Sequence, residues 1–373
     1  MIHSHVTQQG VHMSNNLFAP TELDWSAGAE IITSPDQIAL APGARGQWRV
    51  PITRRSSGEN LMMHIHGVRG VNDGPTLALV AAVHGDAISG TRTVLETIQR
   101  LDPQKLSGTV LAVPVANPVA FESNTRTTGQ GMNTDMNNMN RVFPGNRGGW
   151  VTQKLAHALT EYVLDRADAV VDYHCGSDTS INYVLTIGDE NGDEPDSFNF
   201  ARLMGTPFVF AHDVDPFTGT IDGYMKSRGK LCAVAEQGGD ALPAGWYGLA
   251  ASRIDNFFSA MGMMDVERTM PDKQFLMYER YLVRMDHGGI YIPEVDENAL
   301  STMIEGGTLL GRVIDPHSLE VIQEVRAPYE QSAILMMRPA MSRVNPGDYG
   351  FIISDGASGR WIDSPKEWMV PLG

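Results

Sequence analysis

Cysteine is nearly absent: only Cys175 and Cys232 occur in 373 residues. That excludes a disulfide framework and fits a reducing compartment. Basic charge is also scarce. Twenty-eight Lys and Arg face 44 Asp and Glu, giving a net charge of −16 and a pI near 5.0. Nucleic acid and anionic membranes both need a basic surface, so neither is expected as a partner. A small anionic substrate stays compatible, because a local arginine cluster can override the global sign. No apolar run approaches bilayer-crossing length. The first residues, Met-Ile-His-Ser-His-Val-Thr-Gln-Gln-Gly-Val-His-Met, lack the cationic start and apolar stretch of a signal peptide. The expectation is a cytoplasmic protein.

What is present is an ordinary globular composition, 42% hydrophobic and 19% charged, in a chain long enough for more than one domain. Residues 76–83 and 109–115 are continuous apolar runs, as in strands buried on both faces. Further strands are predicted at 61–68, 168–173, 181–186, 207–211 and 231–236. Helices are predicted at 90–101, 150–166 and near 245–262, with Val151, Leu155, Leu159 and Tyr162 as one apolar stripe. Strands alternating with helices imply an α/β fold, with a mixed central sheet and helices on both faces. After about residue 270 glycine turns break up short strands and no helical period remains. The expected division is a tail and lead-in over 1–45, a catalytic domain over 46–270, and a small β-barrel or sandwich over 271–373. Such an added β region is suited to cover a cleft or to mediate homo-oligomer assembly.

The chemistry-bearing residues fall at strand ends and in one long polar segment, Asn117 to Gly149. His84 ends one buried strand and His174 another, where open α/β sheets place ligands. Each alone is better explained by loop hydrogen bonds; two together favour a metal. Asp172 shares a strand face with His174 and could orient its ring. Asn140 and Arg141 are suited to a carboxylate, and Arg126 to a polarised carbonyl or oxyanion. Glu236 ends the apolar strand Leu-Cys-Ala-Val-Ala, a costly place for a carboxylate without a partner or a task. It suits a general base acting on water.

In order, these pieces are His-Gly-Asp-x-x-x-Gly, Arg126, Asp135-x-x-x-x-Asn140-Arg141-x-Phe-Pro-Gly, Asp-x-His and Glu-x-Gly. The series resembles the succinylglutamate desuccinylase/aspartoacylase branch of the zinc carboxypeptidase superfamily, over roughly residues 60–240. The resemblance implies a zinc-carboxypeptidase-like catalytic domain with one Zn2+ ion on His84 and His174. It implies Arg126 at the scissile carbonyl, Asn140 and Arg141 on the substrate carboxylate, and Glu236 activating the metal-bound water. The implied activity is hydrolysis of the amide bond of an N-acyl amino acid or similar small carboxylate. Alternatives are a carboxypeptidase on short peptides and a non-catalytic carboxylate-binding protein. One position departs from the pattern. The family's third zinc ligand is a glutamate three residues after the first histidine, and here that position is Ala87. An inactivating substitution, a replacement ligand, or lost zinc chemistry with a retained carboxylate pocket would each account for it.

Overall fold

A computed structural model describes residues 29–129, 137–176, 179–187, 194–212, 218–239, 253–300, 302–338 and 342–371. Its centre is an eleven-stranded mixed sheet. The middle four strands run Ser107–Val113, Asn72–Ala81, Ala169–His174 and Leu231–Gln237, all parallel to one another. Beyond them Asn182–Ile187 runs antiparallel, followed by Phe208–His212, Lys273–Met277 and the edge strand Arg360–Asp363. On the other side lie Asn60–Arg69, Arg45–Arg54 and Glu30–Ile31. The apolar runs read from the sequence are these central strands.

Both faces of the sheet are covered. On one, Leu77, Leu79, Ala81, Val171, Tyr173, Ala233 and Ala235 pack with helices Ser89–Arg100, Pro195–Arg202 and 253–260. On the other, Ala78, Val80, Val170 and Cys232 pack under helices Val151–Tyr162 and Ile221–Ser227. The stripe predicted for the 150–166 helix is the buried one, through Leu155, Leu159 and Tyr162. That helix stops at Tyr162 and resumes as the 3-10 turn Leu164–Arg166. Pro195–Arg202 and Ile221–Ser227 carried no sequence signal, because helices of 8 and 7 residues span too few turns to show a period. Residues 245–252 of the third predicted helix lie outside the described residues. No helix among the described residues is long and apolar enough to cross a membrane.

The second face changes its cover along its length. Cross-strand register carries it from Val170 to Cys232, and from Asp172 through Val234 to Leu185. There it becomes Tyr183, Leu185, Phe208, Phe210, Phe275 and Met277, covered by Leu335, Met336 and Ile352. Each large side chain buried there contributes about 1.5–3 kcal/mol. The covering residues belong to the five-stranded member of two further antiparallel sheets formed mostly from 280–355, and these two sheets close on each other around Tyr291, Leu310, Phe351 and Ile353. Residues 271–373 thus supply a β layer and also two strands of the central sheet. The reverse exchange occurs too, since Thr179–Ser180 pairs with Gln331–Met337.

Candidate active site

His84 follows the central strand Asn72–Ala81. The chain turns sharply there: Ala82 has φ 51°, and Ala87 N–H donates to the His84 carbonyl at 3.1 Å. Both glycines of His-Gly-Asp-x-x-x-Gly have a steric cause. A Cβ on Gly85 would stand 2.0 Å from the carbonyl carbon of Ala120, and one on Gly90 2.5 Å from the Cβ of Tyr173. The turn is therefore pressed against helix Pro118–Glu122, whose start is capped by Asn117. Asn117 also bonds Thr128 at 2.8 Å, which ties down the loop bearing Arg126.

His174 is the last residue of its strand, one strand away from that of His84. The two imidazoles lie 5.2 Å apart between ring centroids, tilted by 56°. Both are buried, at 3% and 5% exposure. The backbone carbonyl of Arg126 lies 3.2 Å from His84 Nδ1. A carbonyl only accepts, so Nδ1 carries the proton and Nε2 keeps its lone pair. Burial, then the charge of Arg126 and its neighbours, hold His84 well below the usual histidine range, in the neutral form. His174 Nε2 donates to Asp172 Oδ2 at 2.9 Å. Burial opposes the imidazolium there, but Asp172 and then Glu236 outweigh it and raise the pKa.

Glu236 sits directly opposite His174 in the parallel pairing, and opposite Tyr183 in the antiparallel one. Directly paired residues share a face, so His174, Glu236 and Tyr183 form one row across three strands. Asn140 is buried beside it. Its Oδ1 accepts from Ile221 N–H at 3.1 Å, and its Nδ2 lies 3.4 Å from His174 Nε2. Arg141 is exposed, with its guanidinium donating to the Asn140 carbonyl at 2.5 Å. Partial desolvation of its guanidinium, and then the charge of Arg126, lower its pKa, so the two cations are neighbours. The structure thus brings His84, His174, Glu236, Asn140, Arg141 and Arg126 into one region. Asp135 lies outside the described residues. A cavity of about 500 Å³ opens at the other end of the sheet, among Leu40, Arg69, Thr76 and Arg166. It touches none of these six, and the chemistry places the site with the histidines.

The donor set can be tested against zinc. A catalytic zinc takes three protein ligands and a water. His84 and His174 supply two, and the Asp172 bond is the usual support for a ligating imidazole. Ala87 reaches the same turn, is 2% exposed and offers no donor. Cys175 Sγ faces the Asp86 carbonyl at 3.9 Å. His64 and His66 lie on strand Asn60–Arg69, beyond Ser107–Val113, and His287 is in an exposed turn near Gln323. Among the described residues, no three His, Cys, Asp or Glu side chains could share one ion. These residues do not complete a catalytic zinc site.

Three nearby residues escaped the sequence analysis. Tyr183 is buried under the β layer, and its hydroxyl accepts from Arg280 Nη1 at 3.2 Å. Asp222, on helix Ile221–Ser227, is buried near Asp172. Burial, and then the Asp172 charge, push its carboxyl up to about 7. A raised native pKa stabilises the fold fully below about pH 4, and that stabilisation is lost as pH rises through about 7. Asp222→Asn imitates the protonated form. It is expected to remove roughly 2–4 kcal/mol of the fall in unfolding free energy between about pH 4 and pH 8. Urea titrations of both proteins across that range are the check, and an unchanged slope would put the titrating group elsewhere.

Comparison with known proteins agrees with the site's motifs. Residues 73–257 match the succinylglutamate desuccinylase/aspartoacylase catalytic domain. The N-alpha-acetyl-L-2,4-diaminobutyric acid deacetylase of Halomonas elongata is 27% identical over 323 residues, spanning 83% of this chain and 91% of its own. A succinylglutamate desuccinylase from Silicibacter sp. TM1040 superposes with TM-score 0.73 at 24% identity, over 84% of this chain and 94% of that one. The product-bound ectoine utilization protein EutE (DoeB) of Ruegeria pomeroyi gives 0.72 at 23%, over 84% and 95%. At such identities the structural likeness speaks for the fold. With the matched catalytic segment carrying every motif of the site except the third zinc ligand, the chain belongs to the succinylglutamate desuccinylase/aspartoacylase family.

Proposed function

We propose that the protein is a deacylase, hydrolysing the amide bond of an N-acyl amino acid or similar small carboxylate. The observation that carries this reading is the row in which Glu236 stands beside His174, with His84 5.2 Å from His174. Glu236 is half-buried, reachable by water, and acts as general base on the attacking water. Arg126 offers positive charge to the carbonyl oxygen as it becomes an oxyanion. Arg141, steadied by Asn140, holds the substrate carboxylate. His84 and His174 would hold one Zn2+ ion only weakly, for want of a third ligand among the described residues. The deacetylase relative supports the reaction class.

Assaying amine release from a panel of N-acyl amino acids tests the activity. Arg141→Ala should lower kcat/KM by an amount worth about 1.5–3 kcal/mol on substrates bearing the free carboxylate. Equal loss on the matching carboxamides would make Arg141 structural. Ala87 favours a second reading, a carboxylate-binding protein without turnover. Tight binding of the panel with no amine released, at any zinc concentration, would establish that one instead.

A further inference from the structure

The cavity at the far end of the sheet has a polar lining that the catalytic row does not use. Its floor is where strand Asn72–Ala81 enters the sheet beside Ser107–Val113. The pairing is irregular there: Asn72 faces Ser107 and Thr76 faces Thr109, so four steps on one strand match two on the other. Such a bulge re-aims side chains. Just past it, Thr76 and Thr109 are direct cross-strand partners, so their side chains share a face, and both line the cavity. Neither hydroxyl has a hydrogen-bond partner among the described residues. Leu111, buried, continues the same floor as an apolar surface.

Two arginines far apart in sequence form the walls. Arg69, the last residue of its strand, donates to the Leu40 carbonyl at 2.8 Å and to Asp73 Oδ1 at 3.0 Å. Arg166, the last residue of the turn Leu164–Arg166, donates to the Ile38 carbonyl at 3.0 Å. The two carbonyl acceptors are two positions apart, at most about 7 Å, so one short segment draws both guanidiniums to the same hollow. Arg69 is paired with a carboxylate. Arg166 has no ion pair among the described residues and commits one of its five donors. Asp168 accepts from Thr76 N–H at 2.7 Å and stands outside the lining. The lining therefore sets two guanidiniums against the one carboxylate of Asp73. In a chain of net charge −16, that local positive excess favours an anion.

We propose that this cavity is a second ligand site, taking a small oxyanion, either a carboxylate or a phosphate. Arg166 is its main contact, Arg69 stands beside it, and the hydroxyls of Thr76 and Thr109 donate from the floor. The volume of about 500 Å³ falls among small-molecule sites, about 300–1,000 Å³. The proposal does not depend on the deacylase reading. Thr76 lies five residues before the strand ends at Ala81, roughly 17 Å along it, and the His84 turn is beyond that. A ligand in the cavity would not compete with one held by Arg141.

Calorimetry of the full chain at low ionic strength, with succinate, inorganic phosphate and uncharged succinamide, is the test. Arg126 and Arg141 also attract carboxylates, so each titration is repeated on Arg141→Ala and Arg166→Gln. At least one anion should bind with a Kd of about 1 mM or tighter, and succinamide should not. Arg166→Gln should weaken that binding at least roughly tenfold, the size of one charge-assisted contact. Arg141→Ala should leave it within about twofold, because the two positions are far apart. Arg166 is exposed, so its variant should fold. Thr109→Val, which removes one floor hydroxyl, should weaken binding in the same direction by a smaller factor. Succinate binding alone identifies a carboxylate ligand, phosphate binding alone a phosphate, and equal binding a site that reads charge. The proposal is overturned if neither anion binds, or if succinamide binds equally. It is overturned too by binding that survives both Arg166→Gln and Thr109→Val, or that vanishes in Arg141→Ala.

Discussion

Ala87→Glu is expected to raise the zinc content of protein purified without chelator from well below one ion per chain to about one. The turn that closes from Ala87 N–H to the His84 carbonyl brings residue 87 to the same place as the first histidine. A carboxylate there would add both a donor and the negative charge that two neutral imidazoles lack. Groups that only support a ligand already change metal affinity by about 10–100-fold. A missing ligand should therefore cost roughly a hundredfold or more. The position is 2% exposed, so an unpaired glutamate would be costly there. Without zinc the variant should melt below the parent, and added zinc should raise its Tm more than the parent's. Deacylation should appear or increase with occupancy. Elemental analysis and thermal melts with and without zinc are sufficient. Stoichiometric zinc in the unmodified protein, with no gain from the substitution, would mean that another group completes the site.

Glu236→Gln is expected to abolish most turnover, by roughly a hundredfold or more, in a starting protein that is active. The amide is isosteric with the carboxylate and cannot take a proton from water. Because Glu236 is half-buried at a strand end, the pairing with His174 and Tyr183 should survive, and Tm should change little. Metal content should also hold, since the histidines provide the donors. The telling comparison is kcat against KM: loss of a base falls on kcat. A variant retaining near-normal kcat would assign proton transfer to another group.

The site residues were legible where an apolar run ends in a polar residue. His84, His174 and Glu236 each stand at or just past the end of a strand that must be buried, and the strand pattern puts all three on one rim. Asn140, Arg141 and Arg126 were visible as an ordered motif in a polar segment too long to be a plain connector. What was not legible is lateral. Tyr183 reads as an ordinary aromatic within a strand until antiparallel pairing sets it beside Glu236. Arg280 reads as a surface arginine of a β segment, because its partners lie 97 positions away in Tyr183 and elsewhere on the Phe210 strand. Asp222 sits on a helix too short to announce itself, and its burial depends on the neighbouring strand. Local pattern reports which face a residue takes. Register between distant strands decides what it meets there.

The edge strands carry a consequence for how this protein can be divided. The matched catalytic segment stops at residue 257, but the sheet does not. Lys273–Met277 and Arg360–Asp363 finish it, and Leu335, Met336 and Ile352 roof its aromatic end. A fragment trimmed to the inherited segment would expose Phe208–His212 as an open parallel edge, with Phe208 and Phe210 uncovered above it. Such an edge invites other chains to add to it. The unit recognisable by descent is thus smaller than the unit that can stand alone in water. Grafting the catalytic half onto a different partner would need the final hundred residues to travel with it, or a substitute roof and border of matching shape.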